Sequence, residues 1–266
     1  MIVLYIVIIS LFTTGITATS NCLQKIKEAK RNAVKYQYPC GLPSPENCCI
    51  FKENPFDQSP CGVYKMNNWC SGRLTVVGMY CDTTTDNGGW TVIQRRKDGS
   101  ENFNRSWADY ERGFGNLSRE FWYGLKAINC LTKTGQWELR VDFELPDKTR
   151  SYLHYNQFRV GSASEEYPLT IGGFTGITST DPFSTGGHNG QKFSTYDNDN
   201  DKWSRNCAVG VGRVKGSGGW WHNDCWHVNF NIPYNPAQYG CLYLSRKWFN
   251  PSWLEMKIRP LNCATE

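Results

Sequence analysis

Twelve cysteines, every one beyond residue 20, constrain this chain more than any other feature, because they follow a stretch that reads as an export leader, and an exported chain is expected to meet an oxidising compartment. The N-terminus runs Met1-Ile2-Val3-Leu4-Tyr5-Ile6-Val7-Ile8-Ile9-Ser10-Leu11-Phe12 and then small residues ending Ala18-Thr19-Ser20, the pattern of a secretory signal peptide over residues 1–20. No later apolar stretch approaches the ~20 residues a spanning helix needs. The expectation is a secreted, extracellular protein with no membrane span, in which an even number of cysteines pairs by default. Their spacings lack the short paired clusters of a zinc site. Cys61 with Cys70 and Cys130 with Cys241 are candidate pairs, and Cys22 and Cys40 are placed to join subunits in a disulfide-linked homo-oligomer. Connectivity itself is not fixed by sequence.

Eleven Trp, fourteen Tyr and thirteen Phe can fill a sizeable core, while 25 Gly imply many turns, so the sequence reads as a loop-rich, aromatic-heavy fold. Its net charge of +5 is spread over scattered basic residues. Without a basic helix or stripe to follow a phosphate backbone, nucleic acid is not an expected partner. Asn104-Arg105-Ser106 and Asn116-Leu117-Ser118 are N-glycosylation acceptors, whereas Asn250-Pro251-Ser252 is disqualified by its proline.

Residues 21–44 form a short N-terminal arm: a thin apolar stripe at Leu23, Ile26, Ala33 and Val34, too short for a coiled coil, is broken by Pro39-Cys40-Gly41-Leu42-Pro43-Ser44-Pro45. The domain proper spans 45–266. Gly89-Trp90-Thr91-Val92-Ile93-Gln94-Arg95 reads as a strand, and Gln136 to Phe143 alternates apolar and polar with period two. Between them a helix is expected over Ser118–Ile128, with Phe121, Trp122, Leu125 and Ile128 on its core face. Beyond Asp147 little periodicity is visible until Leu254-Glu255-Met256-Lys257-Ile258-Arg259-Pro260 resumes a strand pattern. Long ordered loops in a compact domain usually carry function, and disulfides or a bound metal can order them.

Within that stretch, Asp197-Asn198-Asp199-Asn200-Asp201-Lys202-Trp203-Ser204-Arg205-Asn206-Cys207 sets three carboxylates at alternate positions of a loop. Crowded oxygens suit Ca²⁺, which takes roughly 6–8 of them from carboxylates, backbone carbonyls and water. From spacing alone a solvated turn of Asx-turn formers is the alternative. An EF-hand is excluded, since Lys202 and Ala208 stand where its turn Gly and bidentate Glu belong. No nucleophile elbow, two-histidine zinc motif or phosphate-cradling glycine loop is present, so binding rather than catalysis is expected. His154 and His188 read as hydrogen-bonded structural residues, and Trp220 and Trp221 as core.

Four features resemble the fibrinogen C-terminal-like domain of fibrinogens, ficolins and tachylectin-type lectins: Tyr80-Cys81-Asp82 leading into Gly88-Gly89-Trp90-Thr91-Val92-Ile93-Gln94-Arg95-Arg96; Asp98-Gly99-Ser100 with Phe103 and Trp107; Gly187-His188-Asn189-Gly190; and Asn206-Cys207-Ala208 followed by Gly219-Trp220-Trp221. They span about residues 46–260. The resemblance implies an α+β fold of small mixed sheets with short helices and long disulfide- and calcium-ordered loops. It implies a calcium site with side-chain ligands Asp199 and Asp201, backbone carbonyls of Trp203 and Arg205, and Asp197 in support; Arg205 replaces the family's usual Gly. It implies a bridge from Cys207 to Cys225, another from Cys81 to Cys48 or Cys49, and a cis peptide between Asp224 and Cys225. In the family's acetyl-binding lectins this segment forms the ligand pocket, here Asp224, Cys225, Trp226 and His227 with Tyr239 and Tyr243 as aromatic wall. Trp226 stands where those lectins have His, and His227 follows one position later. The longer connection Val209–Gly218 brings Arg213 and Lys215 to the rim, which favours an anionic ligand. The implied function is a secreted lectin for acetylated or acidic glycans in innate immunity; the alternative is a protein–protein ligand or receptor partner in signalling, haemostasis or venom.

Overall fold

The computed structural model describes residues 47–51, 60–68, 75–176, 180–212, 214–234 and 240–263. The leader, the arm, Cys22, Cys40, Cys70, Arg213 and Tyr239 lie outside the described residues.

Period-two patterning builds the main sheet. In β6 (Trp137–Glu144), Trp137, Leu139, Val141 and Phe143 are buried, while Arg140, Asp142 and Glu144 are half-buried on the opposite face. β6 pairs antiparallel with β11 (Trp253–Pro260) on one side and β7 (Arg150–Val160) on the other. The full order is β1 (Gly62–Asn68), β2 (Thr75–Asp82), β3 (Trp90–Arg96), β11, β6, β7 and β8 (Leu169–Phe174). Two short strands, β4 (Phe114–Gly115) and β5 (Phe121–Trp122), attach beside β3, and among the described residues every strand pairing is antiparallel. A separate hairpin joins β9 (Leu242–Leu244) to β10 (Lys247–Phe249). The helices α1 (Trp107–Arg112), α2 (Leu125–Thr132) and α3 (Pro182–Thr185) are short. The α+β class expected from the resemblance is observed.

The expected helix over Ser118–Ile128 begins only at Leu125. Phe121 and Trp122 are instead extended, paired with Arg95 and Gln94, and Gly124 turns the backbone at φ +103° before the helix starts. All four apolar residues are buried, but two element types share the burial, which a spacing of four cannot reveal. Two strands beyond Asp147 also left little trace in the sequence: β7 and β8 carry Gln, Asn, Thr and Gly on their open faces, so their alternation is weak. Just before β5, buried Glu120 accepts the amides of Lys97, Asp98 and Gly99 on one oxygen and that of Glu101 on the other, which explains the Asp98-Gly99-Ser100 turn.

The disulfides correct the sequence reading. Cys48 bridges Cys81, and Cys49 bridges Cys263 rather than Cys81. The two cysteines are successive in a 3-10 turn, where neighbouring side chains diverge by about 120°, so one reaches β2 and the other the end of β11. Cys61 is a free thiol beside Asp82 and Thr84, so it does not pair with Cys70. Cys241 is also free, next to Arg96 and Phe230, with burial pushing its thiol up to about 12. Cys130 is bonded, but not to Cys241.

The core lies on the apolar face of the sheet. Val141, Leu153, Met256 and Ile258 share one buried cluster with Leu125 and Ile128 of α2, and the loops after α3 add Phe193, Trp220, Trp221 and Phe230. Trp220 and Trp221 are core residues, as expected.

Candidate functional site

The acidic loop is organised by its own side chains. Asp197 Oδ1 accepts from the Trp107 amide at 2.9 Å and the Thr195 hydroxyl at 2.7 Å, so this carboxylate anchors the loop to the start of α1. Asn200 Nδ2 donates to the Phe193 carbonyl and Asn206 Nδ2 to that of Thr195. Asp201 is folded inward: Oδ1 accepts from Trp203 N at 2.9 Å and Oδ2 from Cys207 N at 2.7 Å. Burial, with the Asp199 charge adding to it, pushes Asp201 up to about 6 against those amide bonds. Asp199 is exposed.

This donor set consists of oxygen alone: two carboxylates two residues apart, and the carbonyls of Trp203 and Arg205, which accept no hydrogen bond among the described residues. Hard-cation chemistry fits such a set. Among the described residues no group of three or more His, Cys, Asp or Glu side chains is arranged to hold a metal. Arg205 does not occupy a left-handed backbone position, so its replacement of Gly costs no strain, and its guanidinium lies 4.7 Å over the Trp203 ring.

The pocket segment follows directly. Lys202 N donates to Asn223 O at 2.9 Å, and Cys207 is bridged to Cys225, so the acidic loop holds the next segment at two points. The Asp224–Cys225 peptide is cis, as the resemblance implied. Asp224 is exposed, while Trp226 is half-buried against the His222 ring at 5.5 Å between centroids. His227 turns the other way, to Tyr243 at 5.2 Å and to Trp248, with which it is nearly parallel.

Buried His188 fixes this geometry from below. Its Nδ1 donates to Trp221 O at 2.8 Å, which leaves Nε2 to accept from His227 N at 3.4 Å and Val228 N at 3.3 Å. A proton on Nε2 would break both contacts, and burial holds the ring down to about 4. Gly186 gives the imidazole its room, since a Cβ there would lie 2.4 Å from Nε2. His154 is likewise structural, set between Glu138 and Thr175.

The structure thus ties the acidic loop to the segment carrying Asp224, Cys225, Trp226 and His227, and within that segment His227 meets Tyr243 while Trp226 packs on His222 on the other side. Asn104 is exposed in the loop before α1, and Asn116 is exposed in the turn between β4 and β5. Sequence reasoning missed Trp248, which is 46% exposed and packs on both Tyr243 and His227. The signal was there: Leu242-Tyr243-Leu244 and Lys247-Trp248-Phe249 alternate around a two-residue turn, and Trp248 pairs directly with Tyr243.

Comparison with known proteins bears on the fold. The family model for the globular domain at the C-terminus of the fibrinogen beta and gamma chains matches residues 59–261. Fibrinogen-like protein A of Apostichopus parvimensis is 47% identical over 207 residues, covering 73% of this chain and 70% of that protein. The fibrinogen-like globe domain of human ANGPTL6 superposes with a TM-score of 0.71 at 33% identity, covering 83% of this chain and 97% of that structure. A lamprey fibrin D-dimer, solved with the peptide ligand Gly-His-Arg-Pro-amide, gives 0.68 at 25% identity, covering 97% and 88%. The protein belongs to the family of fibrinogen C-terminal globular domains.

Proposed function

We propose that this fibrinogen-related protein is a secreted, calcium-binding lectin that recognises acetylated or acidic glycans, in innate-immune pattern recognition. The observation that carries the reading is the continuity between the acidic loop and the pocket: Asp201 accepts the Cys207 amide, Cys207 is bridged to Cys225, and Lys202 N holds Asn223 O. Asp199, Asp201 and the carbonyls of Trp203 and Arg205 would hold calcium, which supplies neutralising charge to the loop. The residues then act by binding alone. Backbone groups around Cys225 meet the polar end of an acetyl group, and His227, Tyr243 and Trp248 present ring surface to its methyl and to the sugar. Among the described residues no helix is long and apolar enough to cross a membrane. Weak single sites of this kind gain from multivalency, which oligomerisation through Cys22 or Cys40 would provide.

The test is an array of glycans and acetylated ligands probed with purified protein, with calcium and with chelator. Calcium-dependent signal on N-acetyl sugars is the expected outcome. Silence across the array, with retained binding to a peptide or protein receptor, supports the second reading, a protein–protein ligand. That reading is favoured by Trp226 at the pocket and by the lamprey relative having been solved with a peptide.

A further inference from the structure

The open face of the sheet carries a second feature that shares no residue with the loop site. Even positions of β6 and odd positions of β11 point away from the core and form a checkerboard of charge. Lys257 Nζ lies 2.6 Å from Asp82, 2.7 Å from Asp142 and 3.4 Å from Glu255, and Arg95 Nε lies 2.5 Å from Glu255. Above this floor is a cleft of about 430 Å³, within the range of small-molecule sites.

The acids of the floor are already engaged. Asp82 Oδ1 accepts the amides of Thr84 and Thr85 at 3.0 Å each, its other oxygen takes Lys257, and both oxygens of Glu255 face cations. Two lining cations are only half engaged. Arg140 uses Nε alone, on Asp142 at 2.9 Å, and its guanidinium carbon lies over the Tyr152 ring, 3.9 Å from the centroid. Arg150 uses Nε alone, on Glu144 at 3.0 Å, with its side chain 79% exposed. Among the described residues the terminal nitrogens of both forks have no hydrogen-bond partner and remain for a ligand. Ser151 adds a hydroxyl and Trp253 adds ring surface, while Arg95 covers a face of Tyr80 and Arg140 a face of Tyr152. Paired guanidinium forks recognise oxyanions, and flat aromatic walls suit a sugar ring.

We infer that this cleft is a second binding site, for a sulfated saccharide whose ester oxyanion bridges Arg140 and Arg150 while its ring lies against Trp253. It stands apart from the calcium-dependent pocket, whatever that pocket binds.

Sucrose octasulfate, which carries no acetyl group, tests it by calorimetry on the full-length protein in chelator, with sucrose as neutral control. Saturable binding of the sulfated sugar alone is expected. Arg140→Gln should weaken it about tenfold, and Arg150→Gln, at an exposed position that leaves folding intact, about threefold. Arg112→Gln, an exposed arginine elsewhere, should leave it unchanged. Absence of binding, affinity untouched in both cleft variants, or poly-glutamate binding in place of the sulfated sugar would overturn the assignment. Because calcium is chelated and the probe lacks acetyl groups, failure here leaves the array result for the loop pocket independent.

Discussion

Along β6, β7 and β11 order comes from a ladder, with apolar side chains on one face and ion pairs on the other, whereas among the described residues between α3 and β9 there is almost no ladder to lean on. There the backbone is held by side chains bonding to it: Asn231 Nδ2 to Gly219 O at 2.7 Å, Asn229 Nδ2 to Ser217 O at 3.0 Å, Asn200 to Phe193, His188 to three backbone groups. Buried aromatics beneath, Phe193, Trp220, Trp221 and Phe230, weld the two halves into one core. The difference teaches where each half is vulnerable: the sheet through its buried charges, the loops through single polar residues and one disulfide.

The largest expected effect lies in the sheet. Lys257→Met leaves Asp82, Asp142 and Glu255 without their shared cation in a site where the lysine side chain is 2% exposed. A loss of about 3–5 kcal/mol is expected by denaturant unfolding, the same with calcium or chelator. A loss below about 1 kcal/mol would mean that the charge lattice does not hold the sheet.

Acid should separate the halves. His188 is held to about 4 by burial, which outweighs its bond to Trp221, and His222 to about 3 by the same cause. Unfolded histidine titrates near 6.5, so above that pH neither state gains a proton. As pH falls from about 6.5 towards 4 the unfolded state takes up protons first and stability is lost, about 3 kcal/mol from His188 alone. In the sheet, burial would raise Asp82, but Lys257 and the Thr85 bonds outweigh it and hold its carboxyl well below the usual range. Its contribution is therefore kept until pH drops below about 4. Hydrogen exchange at pH 7 and pH 5, corrected for intrinsic rate, should show the loops opening before the sheet; the reverse order would break the comparison.

Replacing Cys207 and Cys225 together by Ser opens a bridge between residues 18 apart, with an expected cost of about 3 kcal/mol. Exchange should rise between residues 197 and 228 while β6 and β11 keep their protection. The smallest change is Trp248→Ala at the exposed hairpin, expected to cost under about 1 kcal/mol in stability yet to weaken glycan binding on the array.

This division also decides what could be read from the sequence. Strands β3, β6 and β11 were legible because their burial alternates or runs continuously in branched and aromatic residues. Phe121 and Trp122 misled because a strand and a helix abut at Gly124 with apolar spacing that imitates one helix. The loops offered no period at all. The acidic run stood out by its alternate carboxylates, while the choice of Asp199 and Asp201 within it and the bridge from Cys207 to Cys225 came from the resemblance; the bonds that join loop and segment, Lys202 N to Asn223 O and His188 to His227 N, involve backbone that no residue pattern reports. The choice between Cys48 and Cys49 as partner of Cys81 stayed open because adjacent cysteines look equivalent until a 3-10 turn splays them.

Everything proposed for the loops requires the acidic loop and the pocket segment to behave as one cooperative unit. Hydrogen exchange of the wild-type protein and of Asp199→Ala/Asp201→Ala, each with calcium and with chelator, tests this most directly. Calcium should slow exchange at both 197–207 and 222–228 in the wild type and at neither in the variant. Protection confined to 197–207, or equal in wild type and variant, would contradict it.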